Sequence, residues 1–131
     1  TLAEIAAWEM EQLGILMVTA RGGKRFRILE KSADREHLLH ATVEIIADNG
    51  PLPLPPERQR LLPLLRRIAS DIGPARFPEP HRYDDAEWVG YRITEILPVQ
   101  NLAKQKLLEL EDPLSRLEIL EKFLDQRKLL G

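Results

Sequence analysis

The chain has no cysteine among its 131 residues, which removes disulfides, thiolate metal sites and thiol nucleophiles together and suits a reducing cytoplasm. No apolar run approaches the roughly 20 residues that span a bilayer, and no signal-peptide pattern opens the chain, so we expect a cytoplasmic protein with no membrane partner. Aromatic residues make up 5% of the total, and Phe26 alone interrupts the most basic stretch, which argues against a surface of stacked bases. A formal net charge of −2 gives no global attraction to nucleic acid.

The converging groups of an enzyme are also missing. Ser32, Ser70 and Ser115 sit in turn, helix and first-helical-turn contexts, and none occupies a Gly-x-Ser-x-Gly elbow. Gly22-Gly23-Lys24 lacks the spacing of a phosphate loop, and Arg25 stands where that loop needs Ser or Thr. His37 and His40 fall in a strand pattern that points them to opposite sides, and His81 is alone in a proline-rich loop, so no set of three or four metal ligands can be named. Asp84 and Asp85 are explained as helix caps, and Glu109, Glu111 and Asp112 as a solvated helix end. We therefore expect no enzyme, no cofactor and no metal.

What is present is a globular composition, 44% hydrophobic and 31% charged, of a length that suits one domain with a core. Up to about Ile46 the residues read as strands: Leu2 to Met10, Ile15 to Ala20, Arg25 to Glu30 and Leu38 to Ile46. Phe26 and Ile28 alternate with Arg25 and Arg27, and Leu39, Ala41, Val43 and Ile45 with His40, Thr42 and Glu44, as in half-buried strands of one antiparallel sheet. Alternation places Phe26 in the core. Arg21-Gly22-Gly23-Lys24 is expected to join the second and third strands as a tight hairpin turn.

Four prolines between Asp48 and Pro56 mark a boundary, read as an ordered connector. Beyond it the period becomes helical. Leu61, Leu65, Ile68 and Ile72 keep one stripe and Gly73-Pro74 stops it, while Pro63 requires either a bend or a start later than Pro56. A second helix is expected to open at Asp84, in a capping box with Glu87, and to end near Leu97-Pro98, burying Trp88, Tyr91 or the Arg92 stem, Ile96 and Leu97. The third runs from about Leu102 to Leu110. Asp112-Pro113 then caps and opens a fourth, to about Leu129, with Leu107, Leu110, Leu114, Leu117, Leu120 and Leu124 as facing stripes. The expected organisation is residues 1–47 strands, 48–56 connector and 57–131 helical bundle.

Several segments resemble the N-terminal domain of Lon proteases. Leu97-Pro98-Val99, Lys104 to Glu109 and Asp112-Pro113-Leu114-Ser115-Arg116-Leu117 are similar to its closing helices, and Thr1 to Ile5, Leu16 to Gly22 and Arg25 to Ile28 to consecutive strands. The resemblance implies an α+β fold, a PUA-like antiparallel subdomain followed by a helical bundle. It also implies that strands and a helix precede the point matched by Thr1, so the chain reads as a free-standing Lon-like domain lacking the family's first strands or as a fragment, its open sheet edge tolerated, rebuilt or covered by another chain. Nothing resembles the ATPase module or the Ser-Lys peptidase domain.

The function implied is non-catalytic recognition of unfolded or extended polypeptide, with Arg25, Phe26, Arg27, Leu52 and Leu54 as candidate contacts. The alternative is RNA or polyanion binding through a basic hairpin carrying Arg21, Lys24, Arg25, Arg27, Lys31 and Arg35, six bases in fifteen residues. A third reading, a small-molecule sensor, would need an aromatic-lined cavity built from Trp8, Trp88, Tyr83, Tyr91 and the phenylalanines.

Overall fold

The computed structural model describes residues 1–131 and divides them into two compact units, Thr1–Asn49 and Gly50–Gly131. The fold class is α+β, with antiparallel strands in the first unit and helices in the second.

In the first unit β1 (Ala3–Gln12) pairs antiparallel with β2 (Ile15–Gly22), and β3 (Phe26–Ala33) with β4 (Leu39–Ile45). These are two separate two-stranded sheets, which corrects the expectation of one sheet with half-buried strands. The turn at Gly22-Gly23 is corrected with it. Gly22 belongs to β2, neither glycine has a positive φ, and Gly23 N–H donates to Leu2 O at 2.8 Å, closing the open end of the β1–β2 ladder. The true reversals lie elsewhere. Leu13-Gly14 separates the paired residues Gln12 and Ile15, and Gly14 has φ +85°, a conformation that costs a residue without Cβ little.

The second reversal is built by Asp34. Its Oδ1 accepts the backbone N–H groups of Glu36 and Leu38, both at 2.9 Å, and its Oδ2 lies 3.0 Å from His40 Nε2. A short acid that bonds the backbone two and four residues on replaces ladder hydrogen bonds that a reversal cannot make. His37 stands in this turn with φ 64°, so it is not a strand residue as the alternating pattern suggested.

The second unit begins with the proline segment. Leu54 N–H donates to Asp84 O and Ala86 N–H to Leu52 O, each at 2.7 Å, so Leu52-Pro53-Leu54 lies as an extended strip along the start of a helix. A 3-10 turn (Pro56–Leu61) follows, then α1 (Leu62–Ile72). Pro63 takes the first turn of α1, where its missing N–H has no intrahelical acceptor to leave. Gly73 ends α1 with φ +75°.

Helix α2 (Ala86–Ile96) is capped by Asp85 rather than Asp84, one residue later than expected. Asp85 Oδ1 accepts from Glu87 N at 3.0 Å and Trp88 N at 3.5 Å, while Asp84 offers its carbonyl to Leu54. The buried face of α2 includes Val89, Gly90 and Ile93, which the expected stripe omitted. Helix α3 (Asn101–Glu109) leads to α4 (Pro113–Gln126), whose cap Asp112 accepts from Ser115 N at 2.8 Å and Leu114 N at 3.4 Å. Leu117, Leu120 and Leu124 are buried in the core with Leu61, Leu65 and Val89, whereas Leu114 is exposed and Leu107 and Leu110 only partly covered.

Two arginines of the 3-10 turn hold α4 from the side. Arg58 pairs with the buried Glu121, and Arg60 reaches Asp125 at 2.5 Å and Glu121 at 3.7 Å. A buried carboxylate is tolerated where cations meet it directly, and here two do.

Candidate functional site

The residues singled out in the sequence are dispersed among different environments. Arg25 is 8% exposed and Leu54, at 8%, is part of the helical core, so neither presents a free side chain. Leu52 is partly buried beside Leu54. Phe26 is half-buried opposite Ile45, not fully in a core, because a two-stranded ribbon has no second layer to cover it. Arg27 stands opposite Glu44 and pairs with it at 3.2 Å.

The six bases do not share one hairpin. Arg21 is on β2 opposite Glu4, Lys24 and Arg25 lie between the ribbons, Arg27 and Lys31 are on β3, and Arg35 is in the Asp34 turn. The β2–β3 hairpin that was to gather them does not form.

What the first unit does display is apolar surface. Trp8 and Val18 are directly opposite on β1 and β2, with 66% and 47% exposure, and Leu16, two residues from Val18, shares their face. Leu13 at the turn is 95% exposed. Each of the four strands is hydrogen-bonded along one edge only. Exposed apolar area of this extent, next to open strand edges, is the surface chemistry of association.

The second unit holds a groove of about 520 Å3 lined by the proline strip, the first turns of α1 and the segment before α2. Pro53, Leu54 and Leu62 supply its apolar wall, and Arg66, Tyr83 and Asp84 its polar side. Tyr83 is fixed by an aromatic cluster: its ring meets Trp88 edge-on at 5.3 Å and His81 at 5.4 Å, and Phe77 closes the set against Trp88 at 5.8 Å. His81 Nε2 lies 3.2 Å from Phe77 O, and its Nδ1 lies 3.3 Å from the Tyr83 hydroxyl. Over the Tyr83 ring, 4.2 Å from its centre, sits the Arg66 guanidinium. Sequence reasoning missed Arg66, Tyr83 and Asp84 as a group. The usable signal was the extended Leu-Pro-Leu strip, which needs a partner strand and finds it beside Asp84 and Asp85.

No three His, Asp or Glu side chains converge as a metal site, and no helix is long and apolar enough to cross a membrane.

A family model for the ATP-dependent protease La (LON) substrate-binding domain matches residues 1–126. Among solved structures, a Lon N-terminal domain protein from Xanthomonas campestris superposes with a TM-score of 0.75 at 28% identity, over 92% of this chain and 64% of that one. This chain thus spans less than two-thirds of that relative's length. A search of curated proteins gave no match. With the match running through both the ribbons and the helical unit, the chain belongs to the Lon substrate-binding domain family.

Proposed function

We propose that this chain is a non-catalytic module that binds unfolded or extended polypeptide, and that the β1–β2 ribbon is its main contact surface. The observation that carries the reading is the exposed face formed by Trp8, Val18 and Leu16 in a member of a substrate-binding family. A stretched peptide can add its backbone to an open strand edge while its apolar side chains cover that face, so affinity comes from main-chain hydrogen bonds and burial together. Phe26, half-buried, and Arg27, paired with Glu44, lie on opposite faces of β3 and are secondary contacts in this reading. Arg25 and Leu54, both buried, act by shaping their surroundings, and Leu52 lines the strip.

The test is a pair of surface variants. Trp8→Ser with Leu16→Ser should weaken binding of a fluorescent, permanently unfolded polypeptide about a hundredfold or more, given roughly 1.5 to 3 kcal/mol for each large apolar side chain covered. The melting of the helical unit should not move. Unchanged affinity would remove the ribbon as the contact surface. Self-association along the same edges is the competing use, and sedimentation of the free protein distinguishes it.

The rival reading is RNA or polyanion binding by Arg21, Lys24, Lys31 and Arg35. It requires binding that falls steeply with added salt, because each phosphate contact releases a counterion.

A further inference from the structure

We propose that the groove beside Tyr83 is a peptide subsite that recognises a carboxylate flanked by apolar residues, with Arg66 as the carboxylate-binding side chain. The inference rests on the polypeptide-binding reading and specifies the chemistry that one site selects.

Three observations converge on it. Arg66 lies over the Tyr83 ring at 4.2 Å but takes part in none of the chain's ion pairs, although Arg58 and Arg60, one helical element earlier, both meet acids of α4. An arginine stacked on an aromatic face loses little further side-chain freedom when its N–H groups engage an acid, and guanidinium matches carboxylate geometry with two parallel bonds. Second, the same groove, about 520 Å3, is lined by Pro53, Leu62 and the largely buried Leu54 beside these polar groups. Third, Asp84 lines the same groove, and its carboxylate also takes part in no ion pair of the chain. It can accept a peptide N–H. The groove therefore offers a cation for a carboxylate, an acceptor for the adjoining amide and apolar surface for the neighbouring side chain, which together match a peptide and not a bare anion.

Tyr83 is a positioning residue here. Its ring is held by Trp88 and His81, and it in turn holds Arg66 at the groove.

The carboxylate can come from a chain terminus or from an Asp or Glu side chain, and three fluorescent pentapeptides rich in leucine and valine separate the two. One ends in a free carboxylate, one is its C-terminal amide, and one is the amide with an internal glutamate. Wild-type protein should bind at least one acidic peptide about tenfold more tightly than the neutral amide, as expected for a charge-assisted pair. Preference for the free carboxylate alone assigns a terminus, preference for the internal glutamate alone assigns a side chain, and preference for both assigns a site that takes either. Arg66→Met should reduce the preference to about onefold, and Arg66→Glu should reverse it towards the neutral amide. Arg66 is exposed, and an unchanged circular dichroism melt confirms that the variants fold. Equal binding of all three peptides, or a preference that survives both variants, overturns the subsite. If unfolded polypeptide still binds in that case, only the groove assignment fails; if it does not bind either, the polypeptide-binding reading fails too.

Discussion

The guanidinium of Arg116 is buried 4.1 Å from the ring centre of Tyr91, and the two residues lock α4 to α2. Arg116 also donates through Nε to Leu107 O at 2.9 Å and through Nη2 to Leu110 O, carbonyls at the end of α3 that have no intrahelical acceptor role left. One side chain thus fastens three helices. Arg116→Ala should cost about 3 kcal/mol, since it opens a cavity and strands two partly buried carbonyls. Arg116→Lys should recover only part of this, because an ammonium lacks the fork that reaches both carbonyls. A denaturation midpoint unchanged in the alanine variant would remove Arg116 from this role.

Gly90 explains how α2 and α4 approach so closely. A Cβ on Gly90 would come within 3.2 Å of Arg116 Cδ and 3.6 Å of Leu117 Cδ2, and Arg116 is held by its carbonyl bonds and cannot readily yield. Gly90→Ala should therefore lower the melting temperature, even though alanine is the better helix former by about 1 kcal/mol. A rise in melting temperature would show that the crossing has slack.

Leu117 sits at the centre of the contact and is fully buried. Leu117→Ala should destabilise the helical unit by about 2 to 5 kcal/mol, and chemical denaturation followed by circular dichroism measures it. Because the ribbon unit carries its own backbone ladders, amide exchange in β1 to β4 should be affected less than in α2 and α4.

Acid should loosen the α3–α4 junction through Asp112. The Ser115 hydroxyl, with the Ser115 and Leu114 backbone N–H groups, holds its carboxyl below the usual aspartate value. A depressed acid stabilises the fold fully above its unfolded-state value, and that contribution is lost as pH falls through the lower folded value. At neutral pH, melting temperatures should rank wild type, Asp112→Asn, then Asp112→Ala, since asparagine keeps the cap but not the charge at the helix N-terminus. Wild type and Asp112→Asn should converge in acid. A gap that stays constant with pH would contradict the assignment. Asp34, held low by His40 and the Leu38 and Glu36 amides, should behave likewise in the β3–β4 turn.

The legible parts of the fold were those written in local chemistry. Asp112-Pro113 specified both the cap and the first turn of α4, and the leucine spacing specified Leu117, Leu120 and Leu124 as core. Strand existence was legible too, but pairing was not. Gly22-Gly23 carries a strong turn composition, yet Leu13-Gly14 and the Asp34 side chain make the reversals, because which strands pair depends on contacts far apart in sequence. Burial in the ribbons was overestimated for a related reason. Alternation at Phe26 and Ile28 marks two faces without saying that a layer covers either, and Ile28 is exposed. Arg66 lies on α1 and Tyr83-Asp84 in the segment before α2, with no shared motif, so their meeting is a property of the packed aromatic cluster.

Recognition of polypeptide by this chain is tested most directly by fluorescence anisotropy with an unfolded polypeptide and an RNA of similar size, side by side, at low and physiological salt. We expect saturable binding of the polypeptide that persists at physiological salt, and RNA binding that is weak or lost there. Binding of RNA alone, with a steep salt dependence, or of neither probe, would contradict the account.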